Sequence, residues 1–208
     1  MPAKADIAQQ GEFLEKKLEP RLKQAATGRR TVLFVDAVHF VYGPFLGCLW
    51  CLVRLFIRAP AGRKRYSVLA ALNAITHKVH RVTTTATINA ESVCTLLRHL
   101  AVAVGGPITL VLDNARYQHC ALVQDLAATL RIELLFLPSY SPNLNLIERV
   151  WKFVKKECLA SRYLSSFEAF IEAIDTCLAG LPTIHKPKMD TLLTLNFQTF
   201  GNEPIIAA

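Results

Sequence analysis

The sequence predicts a mixed α/β domain in which three antiparallel strands come first and two parallel strands follow, flanked by helices. Three observations lead there. The first part of the chain holds apolar strand-like runs separated by short Gly- and Pro-containing loops with no room for a helix, the pattern of an antiparallel meander. The second part alternates strand, helix and strand at the spacing of a parallel crossover. At 208 residues and 52% hydrophobic, the chain is long enough for one well-filled core.

The elements follow in order. Residues 1–30 are helical and charged; Pro20 is expected to interrupt this segment and Gly28 to end it, so it reads as an arm or linker. TVLFVDAVHF (31–40), LWCLVRLFI (49–57) and YSVLAALNAI (66–75) are the three antiparallel candidates, and a further short strand is possible at 79–86. Asn89 is placed to cap a helix that runs to about Val104, where Gly105-Gly106-Pro107 stops it. The strand ITLVLD (108–113), a helix from about Gln118 to Leu130, and the strand IELLFL (132–137) make the parallel unit. A Ser-Pro-Asn turn at 141–143 then opens an apolar-striped helix, and SFEAFIEAIDTCLAGL (166–181) is amphipathic. The tail after Pro182 reads as irregular.

Composition narrows the function. A net charge of +8 favours an acidic partner such as nucleic acid over neutral ligands, although a merely basic surface has the same composition. No apolar run reaches the length of a membrane span, and the first residues lack the apolar core of a signal peptide. Six cysteines include one lone C-x-x-C, Cys48 and Cys51, with no second ligand pair for zinc, so all six are expected to be reduced thiols and the compartment cytoplasmic.

Carboxylates are scarce. Only seven acidic residues lie between Thr31 and Ala160, and two share one context: VLFVD ends in Asp36 and ITLVLD ends in Asp113. Each is expected where an apolar, doubly covered strand leaves the sheet, the position at which ligands gather in open α/β sheets. Neighbouring strands would bring the two anions close enough to repel, a cost that a divalent cation removes. The plainer reading is that each Asp starts a turn, for which Asp113-Asn114 is well suited. Glu148 also has two readings. Asn145 followed by Glu148 makes a capping-box arrangement, with Lys152 one turn on as an ion-pair partner. Glu148, Lys152 and Lys155 equally form a face apart from the apolar stripe of Ile147, Val150, Trp151, Val154 and Cys158, where a metal and a phosphate backbone could meet.

The order Asp, Asp, Glu, with 34 residues between Asp113 and Glu148, resembles the DDE transposases of the ribonuclease H-like, retroviral-integrase-like superfamily, and the spacing is similar to that of the mariner superfamily. FVDAVHF, LVLDNARYQ and LPSYSPNLNLIERVWKFVKKECL look like the bacterial insertion sequence 630 group, over about Arg30 to Gly180. The resemblance implies a five-stranded ribonuclease H-like catalytic domain at 31–160, after the arm at 1–30 and before a C-terminal helix and tail at 161–208. It implies that Asp36, Asp113 and Glu148 are catalytic and hold two Mg²⁺ or Mn²⁺ ions. The implied reaction is cleavage at transposon ends and transfer of the freed 3′-OH into target DNA by a nucleoid-associated enzyme acting as a dimer or larger assembly. Two departures stand out. Ala37 follows Asp36 where much of the superfamily has an acidic residue. About thirty residues precede the first strand, without a recognisable helix-turn-helix module, so the expectation is the catalytic half of a two-frame element, served by a separate DNA-reading half, or a truncated copy. Alternatives are a ribonuclease H-like nuclease, or a derivative that only binds DNA.

Several cations have DNA contact as one reading and solvated surface as the other. Arg54, Arg58, Arg63, Lys64 and Arg65 cluster without an intervening acid, and Arg63, Lys64 and Arg65 are assigned to the DNA backbone. Lys152 and Lys155, and Asn114 and Arg116 beside Asp113, are assigned likewise. His39 and His119 near the two aspartates are expected to be structural rather than metal-supporting. Asn143 and Asn145 are assigned to helix capping before DNA, and Tyr140 and Trp151 to packing.

Overall fold

The computed structural model describes residues 6–43, 52, 53, 56 and 64–198. Its centre is a five-stranded sheet of order β3-β2-β1-β4-β5, built from β1 (Thr31–Val41), β2 (Arg65–Asn73), β3 (Val79–Thr84), β4 (Ile108–Leu112) and β5 (Ile132–Phe136). β1, β2 and β3 pair antiparallel, and β4 and β5 pair parallel to β1 and to each other. The third antiparallel strand is therefore the short run at 79–84. Of the expected strand at 49–57 only Leu52, Val53 and Phe56 are described, and none of the three is in a strand; the rest lies outside the described residues.

Alternation along β1 feeds two cores. Val32, Phe34, Val38 and Phe40 pack on one face, while Leu33 and Val35 pack on the other. Helices α3 (Ala90–Ala103) and α4 (Ala121–Thr129) cover the second face through Leu96, Leu97, Leu100 and Val123. Asn89 caps α3 with a reciprocal Ser92 bond, as the sequence predicts. The first face is covered by α1 (Ile7–Glu12), a π-helical turn (Phe13–Leu18), α2 (Glu19–Ala26), α5 (Ile147–Val154), α6 (Phe167–Ala179) and α7 (Lys186–Leu192). Both faces of the sheet are thus buried, which is why β2 and β4 read as continuous apolar runs.

The N-terminal segment is helical, but Pro20 does not interrupt it. The wider π turn precedes Pro20, which then occupies the first turn of α2, where its missing N–H costs little. This helix buries Phe13, Leu14, Leu18, Leu22 and Ala25 in the same core as Phe34 and Trp151. The tail after Pro182 is also more ordered than its sequence predicts. It forms α7, with Pro187 in the tolerated first turn and Met189 fully buried. Cys94, Cys158 and Cys177 are buried free thiols and Cys120 is a half-buried one; Cys48 and Cys51 lie outside the described residues. Among the described residues, no helix is long and apolar enough to cross a membrane.

Candidate active site

Asp36 is not at the end of its strand, as expected, but in the middle of β1, opposite Ala70 of β2. β4 is shorter. Its pairing with β1 stops at Phe34 opposite Val111, and Asp113 lies just beyond it. Carrying that register two residues on sets Asp36 level with Asp113, and alternation points both side chains to the face covered by α5. What leaves the sheet at Asp36 is the neighbour rather than the strand. β1 continues against β2 alone, and its other edge opens into a cleft.

That cleft, of about 450 Å³, is lined by Asp36, Asp113, Asn114, the segment Leu137–Pro142, Asn145 and Glu148. The three carboxylates picked from sequence therefore come from a strand, a loop and a helix to one cavity. Burial pushes the Asp36 carboxyl up to about 7; the Ala37 N–H and the Trp151 indole oppose this, and the charges of Glu148 and Asp113 add to it. Burial first, then the charge of Asp113 and more weakly that of Asp36, lift the half-buried Tyr117 phenol to about 12, against the Gln118 hydrogen bond.

The supporting bonds differ from the expected ones. Asn145 does not cap α5 with its side chain; the helix has no side-chain cap. Its Nδ2 reaches back to the Val35 carbonyl at 3.3 Å, tying the start of α5 to the backbone beside Asp36. Lys152 does not pair with Glu148 among the ion pairs of the described residues. Asn143 donates to Gln10 Oε1 at 3.0 Å and to the Gln198 carbonyl at 2.8 Å rather than capping. Trp151 packs edge-on against Phe40 and also donates its indole N–H to Asp36 Oδ2 at 2.9 Å. Sequence reading missed that bond, although a buried indole N–H demands an acceptor. Asp113 does start a turn, accepting from the Ala115 N–H at 3.2 Å, while Asn114 donates to the Leu137 carbonyl at 2.6 Å and so joins the exits of β4 and β5. Asp113 thus starts a turn and lines the cleft at the same time.

His39 bonds Ser67 Oγ, the His119 ring packs tilted against Phe136, and neither lines the cleft. Arg116, Lys152 and Lys155 are exposed and outside the cleft lining. Lys64 sits over the Phe167 ring at 5.4 Å, and Lys64 and Arg65 border a separate cleft. They lie at the far end of β1, where Val41 pairs with Arg65, about 17 Å from Asp36 at the rise of an extended strand. Arg63 lies outside the described residues.

The donor set fits a hard divalent cation in chemistry. Three carboxylates face one cavity, and the Oδ1 of Asn145, which also lines it, is buried without a partner. They are not drawn together: among the described residues, no three His, Cys, Asp or Glu converge closely enough to hold a metal ion.

The molecule is thus a mixed sheet with helices on both faces and three carboxylates around the cleft that opens beside β1 and β4. Residues 53–171, more than half of the chain, match the family described as DDE superfamily endonuclease, and the protein belongs to that family. Among solved structures, the chain is similar to the Mos1 strand transfer complex (TM-score 0.59, 16% identity, 93% of this chain and 64% of that one). It is similar to the Mos1 mariner paired end complex with Mn (0.61, 16%, 93% and 62%). It is also similar to the Mos1 transposase catalytic domain with Raltegravir and Mg (0.58, 15%, 90% and 95%). The fold is thus the ribonuclease H-like transposase core, and the chain spans less than two thirds of the Mos1 chain in the two DNA-end complexes. No curated protein sequence matches the chain.

Proposed function

We propose that this chain is the catalytic domain of a transposase of the insertion sequence 630 group, cutting DNA at transposon ends and joining the 3′-OH to target DNA. The observation that carries the reading is the convergence of Asp36, Asp113 and Glu148 on one cleft in a chain of the DDE superfamily. Those three carboxylates would hold two Mg²⁺ or Mn²⁺ ions, the metals present in the similar Mos1 structures. When bound, such ions activate the attacking oxygen and stabilise the leaving oxygen of a phosphodiester. Trp151 fixes the rotamer of Asp36 and favours its anion. Asn145 ties the helix carrying Glu148 to the strand carrying Asp36. The exposed cations Lys152, Lys155 and Arg116, with Lys64 and Arg65 beyond and Arg63 assigned with them from its place in the sequence, track the DNA backbone without reading its sequence. A dimer pairing two DNA ends, with end recognition supplied by a separate helix-turn-helix half, completes the reading.

The test is a Mg²⁺-dependent cleavage and strand-joining assay on DNA carrying the element's ends. Asp113→Asn and Glu148→Gln should each reduce turnover by more than about a hundredfold while folding normally, since Glu148 has no side-chain cap bond or Lys152 pair to lose. Parent-level cleavage by Glu148→Gln would remove that residue from the chemistry.

A further inference from the structure

The turn that precedes Glu148 is held from outside the sheet by one side chain of the N-terminal helix. Gln10 of α1 is 1% exposed. Its Nε2 donates to Ser141 Oγ at 2.9 Å, and its Oε1 accepts from Asn143 Nδ2 at 3.0 Å. The carboxamide therefore grips the cap residue and the middle residue of the 3₁₀ turn Pro142–Leu144, which leads through Asn145 and Leu146 into α5. On its inner side the same turn is tied to the sheet by Asn145, and the Asn145 carbonyl accepts the backbone N–H of Glu148 at 3.2 Å. Ser141, Pro142 and Asn145 are themselves cleft wall. A continuous path of bonds thus runs from Gln10 to the residue that carries the third carboxylate.

The choice of residue is informative. Gln10 has Phe13 and Leu14 as buried neighbours on its helix. A leucine there would bury more apolar surface and desolvate no amide. A buried carboxamide that satisfies one donor and one acceptor of a distant turn gains little net stability but fixes geometry, because any slip of the turn leaves its groups unpaired.

We infer that Gln10 is a positioning residue for the metal-binding cleft: by clasping Ser141 and Asn143 it sets where Glu148 stands relative to Asp36 and Asp113. The inference rests on the assignment of the three carboxylates to metal above. It makes the Gln10 clasp part of the support of the site, so that whatever pulls Gln10 away from Ser141 and Asn143 loosens the cleft.

The experiment is Mn²⁺ binding to the full chain, read from the electron paramagnetic resonance of free Mn²⁺, beside thermal melting in chelator. Gln10→Leu should weaken Mn²⁺ binding about tenfold, the effect typical of losing a residue that orients a ligand. Ser141→Ala, which removes half the clasp at little cost in packing, should weaken it by a smaller factor, and the double variant should lose no more than Gln10→Leu alone. Leu22→Ala supplies the control: it loosens the same helix by a buried cavity away from the turn, and should lower the melting temperature with Mn²⁺ binding unchanged. Parent-like binding by both Gln10→Leu and Ser141→Ala overturns the inference, as does a loss in Leu22→Ala equal to that in Gln10→Leu. A parent chain that binds no Mn²⁺ overturns the carboxylate assignment itself, and the inference with it.

Discussion

The Asp36 carboxyl accepts from the Trp151 indole while facing two other anions, and burial lifts it to about 7. An unfolded Asp titrates near 3.9, so between about pH 4 and pH 7 the folded chain holds a proton that the unfolded chain has released. Stability without metal therefore falls as pH rises through that window. Asp36→Asn should remove the dependence and raise the metal-free stability at pH 8 by an amount on the order of 2–4 kcal/mol, seen as a higher melting temperature. Melting at pH 5 and pH 8 in chelator checks this; an unchanged slope would mean that the carboxyl is already anionic in the fold. At this scale the sequence exposed the carboxylates but not their partners. Asn145 followed by Glu148 satisfies a local capping rule, yet the Asn145 side chain bonds a carbonyl 110 residues away. Trp151 lies on an apolar stripe and reads as packing, and its polar edge meets Asp36 only in three dimensions.

Glu133 at the second position of β5 joins more elements than any cleft residue. It accepts two bonds from Arg21 Nε at 3.0 Å and a closer one from Arg21 Nη2, and one each from Arg30 and Thr109 at 2.7 Å, locking α2 and the entrance of β1 to the parallel half of the sheet. The Arg21 bonds, helped by Thr109 and Arg30, hold its carboxyl down at about 2 despite partial burial. Its folded value lies below the unfolded one, so its contribution is full above about pH 4.3 and is lost as pH falls through 2. Glu133→Gln should cost about 1–3 kcal/mol at pH 7 by chemical denaturation and little at pH 2. Element existence was legible wherever a period persisted: β1, β4, β5, α3 and α6 all fall where alternation or helical striping predicts them. α7 was hidden because it is only two turns long, contains Pro187 in a permitted place and buries Met189 as its single core residue. The strength of the β1 pattern also misled. Its apolar run to Asp36 looks like a strand ending at a charge, whereas the strand runs on to Val41 and the shorter neighbour makes the opening.

Across the whole molecule, a net charge of +8 coexists with a cleft whose charged residues are all acidic. Arg116, Lys152 and Lys155 are exposed outside its lining, and Lys64 and Arg65 lie farther along the sheet. Under the proposed function, DNA affinity depends on these cations and chemistry on the cleft. Lys152→Ala and Lys155→Ala should each weaken binding to any duplex and lower the slope of log affinity against log salt by about 1, with cleavage at saturating DNA retained. A slope unchanged in both variants would place the DNA path elsewhere. That three carboxylates share one cleft was legible because scarce carboxylates, matched apolar contexts and a long family-like block all pointed to one place; the buried braces were not, because amides and indoles carry no pattern along the chain. The mid-strand location of Asp36 has a mechanical consequence. Asp36 is fixed in the ladder with β2 and cannot shift unless central sheet bonds break, whereas Asp113 sits on a loop and Glu148 at a helix start. Any contraction of the cleft around a charged visitor must therefore be one-sided: a fixed anvil on β1, and two jaws that travel to it.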